Sequence, residues 1–381
     1  MPVSSLLRHA LAGGALLTLT ALPALVAAPA SAASAPVSAA RERSLLATPL
    51  VFGHRGASGY RPEHTLAAYD LAIRMGADVI EPDLVSTKDR VLVARHENEI
   101  SETTDVAEHP EFAGRRTTKT IDGAEKTGWF TEDFTWAELR TLRAIERLPL
   151  VRQENTIYDG RYRIPSLQQV IDLAERASEQ YGRTIGIAPE TKHPTYFDGI
   201  KKSLEEPLVR VLRRNGLTKA PHVYVQSFEV ANLRELNGLI DVPLVQLTGA
   251  GPTARPYDHV ASGNQQTYAA MTKPFGLRKV RLYADVLGPD KAQIFPRDAA
   301  GNTGTHTTLV RDAHAKGLLV VPYTLRAENQ FLPLQYRSGT DGNAFGDLFA
   351  EIWDHLRVGV DGFFTDQPDI GVIARDDFLD R

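Results

Sequence analysis

No cysteine occurs among the 381 residues. Thiol catalysis, disulfide bonds, thiolate metal sites and a lipid-modified N-terminal cysteine are therefore excluded, and any metal must be held by oxygen or imidazole. An exported form would depend on core packing alone for stability. Charge of one sign is also lacking: the formal net charge is −4. No polyanion-binding surface is indicated, and nucleic acid is not an expected partner. The chain has no P-loop, no H-E-x-x-H and no dinucleotide fingerprint followed by a suitable acidic residue. Its "GASG" at 56–59 lacks the spacing of a G-x-S-x-G elbow. NTPase, zincin and serine-hydrolase readings fall away. A solenoid-type repeat is absent as well.

What is present begins with a leader. Residues 1–32 carry Arg8, a long Ala/Leu stretch and then "APASAASA", small residues spaced for cleavage near Ala32 or Ala33. This reads as a secretory signal peptide, with no stable membrane anchor and a secreted, extracellular, periplasmic or wall-associated product. An Ala/Ser-rich stretch over 33–47 reads as flexible. The remainder, 48–381, is long enough for one large α/β core.

Eight apolar or β-branched runs punctuate that remainder: 49–53, 78–84, 184–190, 222–227, 243–247, 284–288, 318–324 and 361–366. Between them, helical periodicity predicts helices over 64–75, 166–181 with Ser166 as N-cap, 197–214, 230–239, 305–316 and 347–358. Eight alternating units predict a (β/α)8 TIM barrel. Two stretches break the rhythm. Residues 98–163 read as an insertion after strand 2 carrying one helix at "TWAELRTLRAI", and 250–283 read as a long loop.

In a barrel the reactive groups stand where the strands end. The first run ends in His54 and Arg55; the second carries Glu81 and Asp83, two apart and so on one side of a strand; the third ends in Glu190, followed by Lys192. Like charges forced together call for a cation, and three hard oxygen ligands suit Ca²⁺ or Mg²⁺. His96, ending "VLVARH", adds a second imidazole, so a general acid and a general base are both available. Two imidazoles, a divalent cation and fixed positive charges suit phosphoryl transfer on an anionic substrate, a phosphodiester being the natural candidate.

These residues resemble the glycerophosphodiester phosphodiesterase family, in its exported, periplasmic-type branch. The resemblance runs through "HRGASGYRPEHTLAAYDLAIRMGADVIEPDL", "VARHE", "IGIAPETKHP", "VYVQSFE", "VVPYT" and "GFFTDQPD". It implies Glu81, Asp83 and Glu190 as metal ligands, His54 and His96 as the acid/base pair, and Arg55, Lys192 and Glu63 as substrate-binding. It implies a helical insertion lying over the barrel mouth, with Ca²⁺ the expected ion and Mg²⁺ the alternative. Glu97 stands where the family commonly has Asp, and is read as a support behind the site and not as a ligand. The implied reaction is hydrolysis of glycerophosphocholine or glycerophosphoethanolamine to sn-glycerol 3-phosphate and an alcohol, through a cyclic phosphate. A glycerol-phosphate wall polymer or a lysophospholipid is the alternative substrate.

Overall fold

The structure, a computed structural model, describes residues 43–381. The expected signal peptide and most of the expected flexible stretch lie outside the described residues. The described end of that stretch is tied to the barrel: Ser44 Oγ and Leu45 N donate to Asp361 Oδ1 at 2.9 and 2.6 Å.

Eight parallel strand positions close on themselves. They are β1 (Leu50–Gly53), β2 (Val79–Ile80 and, after a break, Asp83–Ser86), β3 (Gly186–Ile187 and Glu190–Thr191), β4 (Val225–Ser227), β5 (Leu244–Thr248), β6 (Val286–Pro289), β7 (Leu319–Val320) and β8 (Gly362–Thr365). Each pairs with the next, and β8 returns to β1 with Leu50 opposite Gly362. Between β7 and β8 the seam is closed by Asp361 N to Val320 O at 2.8 Å and Leu325 N to Phe364 O at 2.9 Å. This is the expected TIM barrel.

Alternation along the strands sorts the core into two layers. Phe52, Val79, Ala188, Val245, Leu247, Val286, Val321 and Phe364 form an inner cluster. Their neighbours Val51, Ile80, Ile187 and Leu287 belong to the larger apolar layer beneath the helices. The breaks in β2 and β3 fall at Pro82 and Pro189, residues without an N–H for the ladder. Both prolines adjoin the carboxylates that will matter, Glu81, Asp83 and Glu190.

The helices behind the strands are α1 (Leu66–Arg74), α2 (Leu167–Tyr181), α3 (Glu205–Arg214), α4 (Val230–Asn237), α5 (Pro274–Val280), α6 (Leu309–His314), α7 (Leu348–Arg357) and α8 (Pro368–Leu379). Ser166 caps α2 as expected, in a reciprocal capping box with Gln169. Four expectations need correction. Helix α1 starts after Thr65, its N-cap, because His64 has a left-handed φ of 55°. The helix expected over 197–214 is two, Pro194–Gly199 and α3, parted where Lys201 has φ 62°. Residues 250–283 hold α5 and two shorter helices, Tyr257–Ala261 and Tyr268–Met271, all too short to show a helical period.

The fourth correction is the insertion. Its main element is an antiparallel β-hairpin, Thr117–Ile121 against Ala124–Gly128, and the helix expected at 135–145 is the four residues Trp136–Leu139. A two-residue Asp-Gly turn joins the hairpin, with φ 49° at Asp122 and 82° at Gly123. That pair is a strong local hairpin signal, outweighed in the sequence by the helical look of "TWAELRTLRAI".

Candidate active site

At the C-terminal mouth of the barrel the strand ends bring three carboxylates together. One oxygen from each of Glu81, Asp83 and Glu190 lies within 4.8 Å of the others, and all three side chains are buried. Glu81 Oε1 accepts from Gln226 Nε2 at 2.7 Å and Oε2 from the Arg55 backbone N–H at 3.0 Å. Glu190 Oε1 accepts from Lys192 Nζ at 2.9 Å. Asp83 Oδ2 accepts from His64 Nε2 at 2.9 Å, while Oδ1 is buried without a partner. An orphaned carboxylate oxygen facing two more carboxylates fits a hard divalent cation.

The electrostatics agree with that fit. Burial, then the charges of Asp83 and Glu190, push Glu81 well above the usual carboxylate range. Burial pushes Glu190 up to about 7, with Lys192 opposing and Asp83 adding. Burial acts upward on Asp83 too, but His64, Lys192 and Arg55 hold it well below the usual value. Without a cation Glu81 and Glu190 are thus biased toward their protonated forms and Asp83 toward its ionised form, and a cation would displace the retained protons.

A stability prediction follows with a definite sign. For a carboxylate whose folded pKa is raised to about 7, the contribution is fully present below the unfolded value and is lost as pH rises to 7. A cation favours the ionised form, so the rise in melting temperature on adding Ca²⁺ to chelated protein should be larger at pH 8 than at pH 5. Calorimetry at the two pH values measures it; equal shifts would remove the coupling between these carboxylates and the ion.

Two imidazoles flank the carboxylates. His54 Nδ1 meets Asp366 Oδ1 at 2.5 Å, leaving Nε2 3.9 Å from Glu81 Oε2. His96 Nδ1 meets Glu97 Oε1 at 3.0 Å, leaving Nε2 3.3 Å from Lys192 Nζ. Asp366 accepts a hydrogen bond from His54 Nδ1–H, and Glu97 stands against His96 Nδ1, so each ring is turned with Nε2 inward. Burial lowers His54 to about 4 against the pull of Asp366. Burial, with Arg55 and Lys192 adding, drives His96 well below its ordinary value. Both rings are neutral at pH 7 before an anion arrives.

His54, Arg55, Glu81, His96, Glu190 and Lys192 all line one cavity of about 470 Å³. Arg55 and Lys192 supply positive charge beside the carboxylates, and Lys291, Arg297 and Arg326 line the same cavity; Arg55 Nε stands 3.5 Å from Asp83 Oδ2 with no hydrogen-bond partner. Glu63, expected among the substrate-binding residues, is buried against the site's cations: its oxygens accept from Arg55 Nη1 at 3.0 and 3.2 Å and from Arg147 Nε at 2.8 Å, and so aim Arg55. Asp83 sits behind the cavity wall, within the carboxylate cluster.

The sequence reading missed several partners. His64 was assigned to a helix, yet it is fully buried between Asp83 and Tyr69 Oη. Asp366, held by Arg152 Nη2 at 2.6 Å and Arg326 Nε at 2.7 Å, orients His54, and Gln226 holds Glu81. The available signals were polar residues ending apolar runs, "FFTD" and "YVQS".

Comparison with known proteins agrees with this geometry. A family model described as the glycerophosphoryl diester phosphodiesterase family matches residues 54–370. A glycerophosphodiester phosphodiesterase of Arabidopsis thaliana is 36% identical over 334 residues, 84% of this chain and 83% of the relative. One from Haemophilus influenzae is 29% identical, over 85% of this chain and 88% of its own. A solved structure from Silicibacter pomeroyi has a TM-score of 0.60 at 21% identity, over 88% of this chain and 95% of that one. An Oleispira antarctica phosphodiesterase, solved with the product sn-glycerol-3-phosphate, has a TM-score of 0.51 at 20% identity, over 86% of this chain and 97% of that one. At such identities the structural likeness concerns the fold alone.

Proposed function

This chain belongs to the glycerophosphoryl diester phosphodiesterase family and is a phosphoric diester hydrolase, and we propose that it releases sn-glycerol 3-phosphate from small glycerophosphodiesters such as glycerophosphocholine and glycerophosphoethanolamine. The observation carrying this reading is the pair of imidazoles, each with Nδ1 held by a carboxylate and Nε2 turned to one cavity that also contains Arg55 and Lys192. The product bound to the Oleispira antarctica phosphodiesterase supports the choice of glycerol phosphate.

One imidazole takes the proton of the glycerol 2-hydroxyl as its oxygen attacks phosphorus. The bond from phosphorus to the alcohol oxygen breaks, and the other imidazole, which takes up a proton at Nε2 when the phosphate anion binds beside it, delivers that proton to the leaving alcohol. Water then opens the cyclic phosphate with the two roles exchanged, giving back both protonation states. Arg55 and Lys192 bear the charge of the phosphoryl oxygens. Glu81, Asp83 and Glu190 would hold a divalent cation, Ca²⁺ by preference over Mg²⁺, which adds Lewis-acid stabilisation of that charge.

The test is release of sn-glycerol 3-phosphate from glycerophosphocholine, measured after chelation and after adding Ca²⁺ or Mg²⁺ separately. Activity lost on chelation and restored best by Ca²⁺ is expected. Full activity after exhaustive chelation would overturn metal dependence, and turnover of a glycerol-phosphate polymer alone would move the substrate.

The leader-like residues 1–32 support a secreted protein. N-terminal sequencing of the protein recovered outside the cell should start after Ala32 or Ala33; an intact leader on protein found only in the cytosol would refute export.

A further inference from the structure

Behind His96 a run of charged contacts leaves the barrel and enters the insertion. Glu97 Oε1 lies 3.0 Å from His96 Nδ1, while its Oε2 faces two cations, Lys126 Nζ and, at 3.4 Å, His193 Nε2. Lys126 stands on the second strand of the hairpin. His193 Nδ1 donates in turn to Asp122 Oδ2, 2.6 Å away at the hairpin's turn. Burial alone would lower His193, but Asp122 and Glu97 outweigh it and bring it up to about 9, so the charged ring donates from Nδ1 to Asp122 and sets its Nε2–H against Glu97 as an ion pair without a hydrogen bond.

The hairpin has reason to be a fixed support. Asp122 and Gly123 both lie at positive φ, the pattern of a tight two-residue hairpin turn that Asp and Gly tolerate. Five cross-strand pairs set its register. Lys119 ties it, within the insertion, to Glu132 at 2.9 Å and Asp133 at 2.7 Å, and Glu132 is held in turn by Asn98 and, from the helix Pro194–Gly199 outside the insertion, by Tyr196.

Glu97 needs such support, because its side chain is 31% exposed and that of His96 29%. A carboxylate so placed, on a flexible stem, would otherwise sample several rotamers and leave the imidazole free to rotate or to change tautomer. Two cations converging on one carboxylate oxygen remove that freedom.

We propose that Asp122, Lys126 and His193 are positioning residues for His96: through Glu97, the insertion's hairpin holds that ring with Nδ1 protonated and Nε2 toward the cavity. This rests on the reading of His96 as an acid/base group. It gives the insertion a role in the chemistry, although it supplies no group to the cavity wall around His54 and Glu81.

The test uses the full-length purified protein with Asp122→Asn and Lys126→Met, separately and combined. A general acid or base is worth about 10²-fold or more, and loss of its positioning should cost part of that, so kcat on glycerophosphocholine should fall by about 10-fold in the combined variant, with KM little changed and Asp122→Glu recovering part of the loss. In a His96→Ala background the same pair of substitutions should have no further effect, since the group they position is gone. Nitrogen-15 NMR should show His96 as the Nδ1–H tautomer in the parent and as a mixture in the combined variant. An unchanged tautomer, or an equal loss of rate in the His96→Ala background, would overturn the relay. A changed tautomer with an unchanged rate would keep the relay and overturn the acid/base role of His96. Should Asp122→Asn unfold the turn, Lys126→Met alone carries the same readouts from a partly exposed position.

Discussion

Alanine in place of His54 or His96 lowers kcat/KM for glycerophosphodiester hydrolysis by about 10²-fold or more, the range for loss of a general acid or base. The geometry gives each ring a counterpart test. Asp366 accepts the hydrogen bond of His54 Nδ1–H, so Asp366→Asn should lower kcat while leaving cation affinity near that of the parent. Asp366 also neutralises Arg152 and Arg326, so melting temperatures must accompany the rates. Single-turnover measurements in both histidine variants decide the matter. Retention of near-parental rates in both would leave the two-imidazole mechanism untenable.

Alanine in place of Glu81 or Asp83 abolishes cation binding and turnover together. Loss of an outer partner of a metal site already costs about 10- to 100-fold in affinity, and loss of a ligand should cost at least as much. Asp83 has a second consequence: it lies against His64 and Arg55, and its removal leaves buried positive charge uncompensated. Asp83→Asn keeps the shape, and comparison with Asp83→Ala separates loss of the ion from loss of the fold. Calorimetric titration with Ca²⁺ is the measurement. An unchanged dissociation constant in the Glu81 and Asp83 variants would mean that the ion binds elsewhere.

Much of this site is visible in the sequence because it follows short-range rules. Glu81 and Asp83 are legible as a pair because they stand two apart at the end of an apolar run, even though β2 is broken between them at Pro82, and Glu190 and His54 end apolar runs as residues at a barrel mouth do. The long insertion after strand 2 is equally visible, since the gap before the next helix exceeds what a barrel needs. Its content is harder to read. Hairpin strands "TTKTI" and "AEKTG" are mostly exposed and carry no apolar face, so periodicity has nothing to report. His64 is misread for the opposite reason: it stands one residue before an N-cap, and only its left-handed backbone excludes it from the helix.

By itself, then, the sequence determined the barrel, the absence of thiol chemistry, and the carboxylate and imidazole residues gathered at the strand ends, because each depends on local period or on composition. Only the tertiary structure decided what supports them. Asp366 reaches His54 from 312 residues away across the seam where β8 closes on β1, and Asp122 reaches His193 across 71. Such partners meet only once the chain has closed into a ring and the hairpin has come against His193 and Glu97. Their pairing is a property of the barrel's geometry, and no period along the chain encodes it.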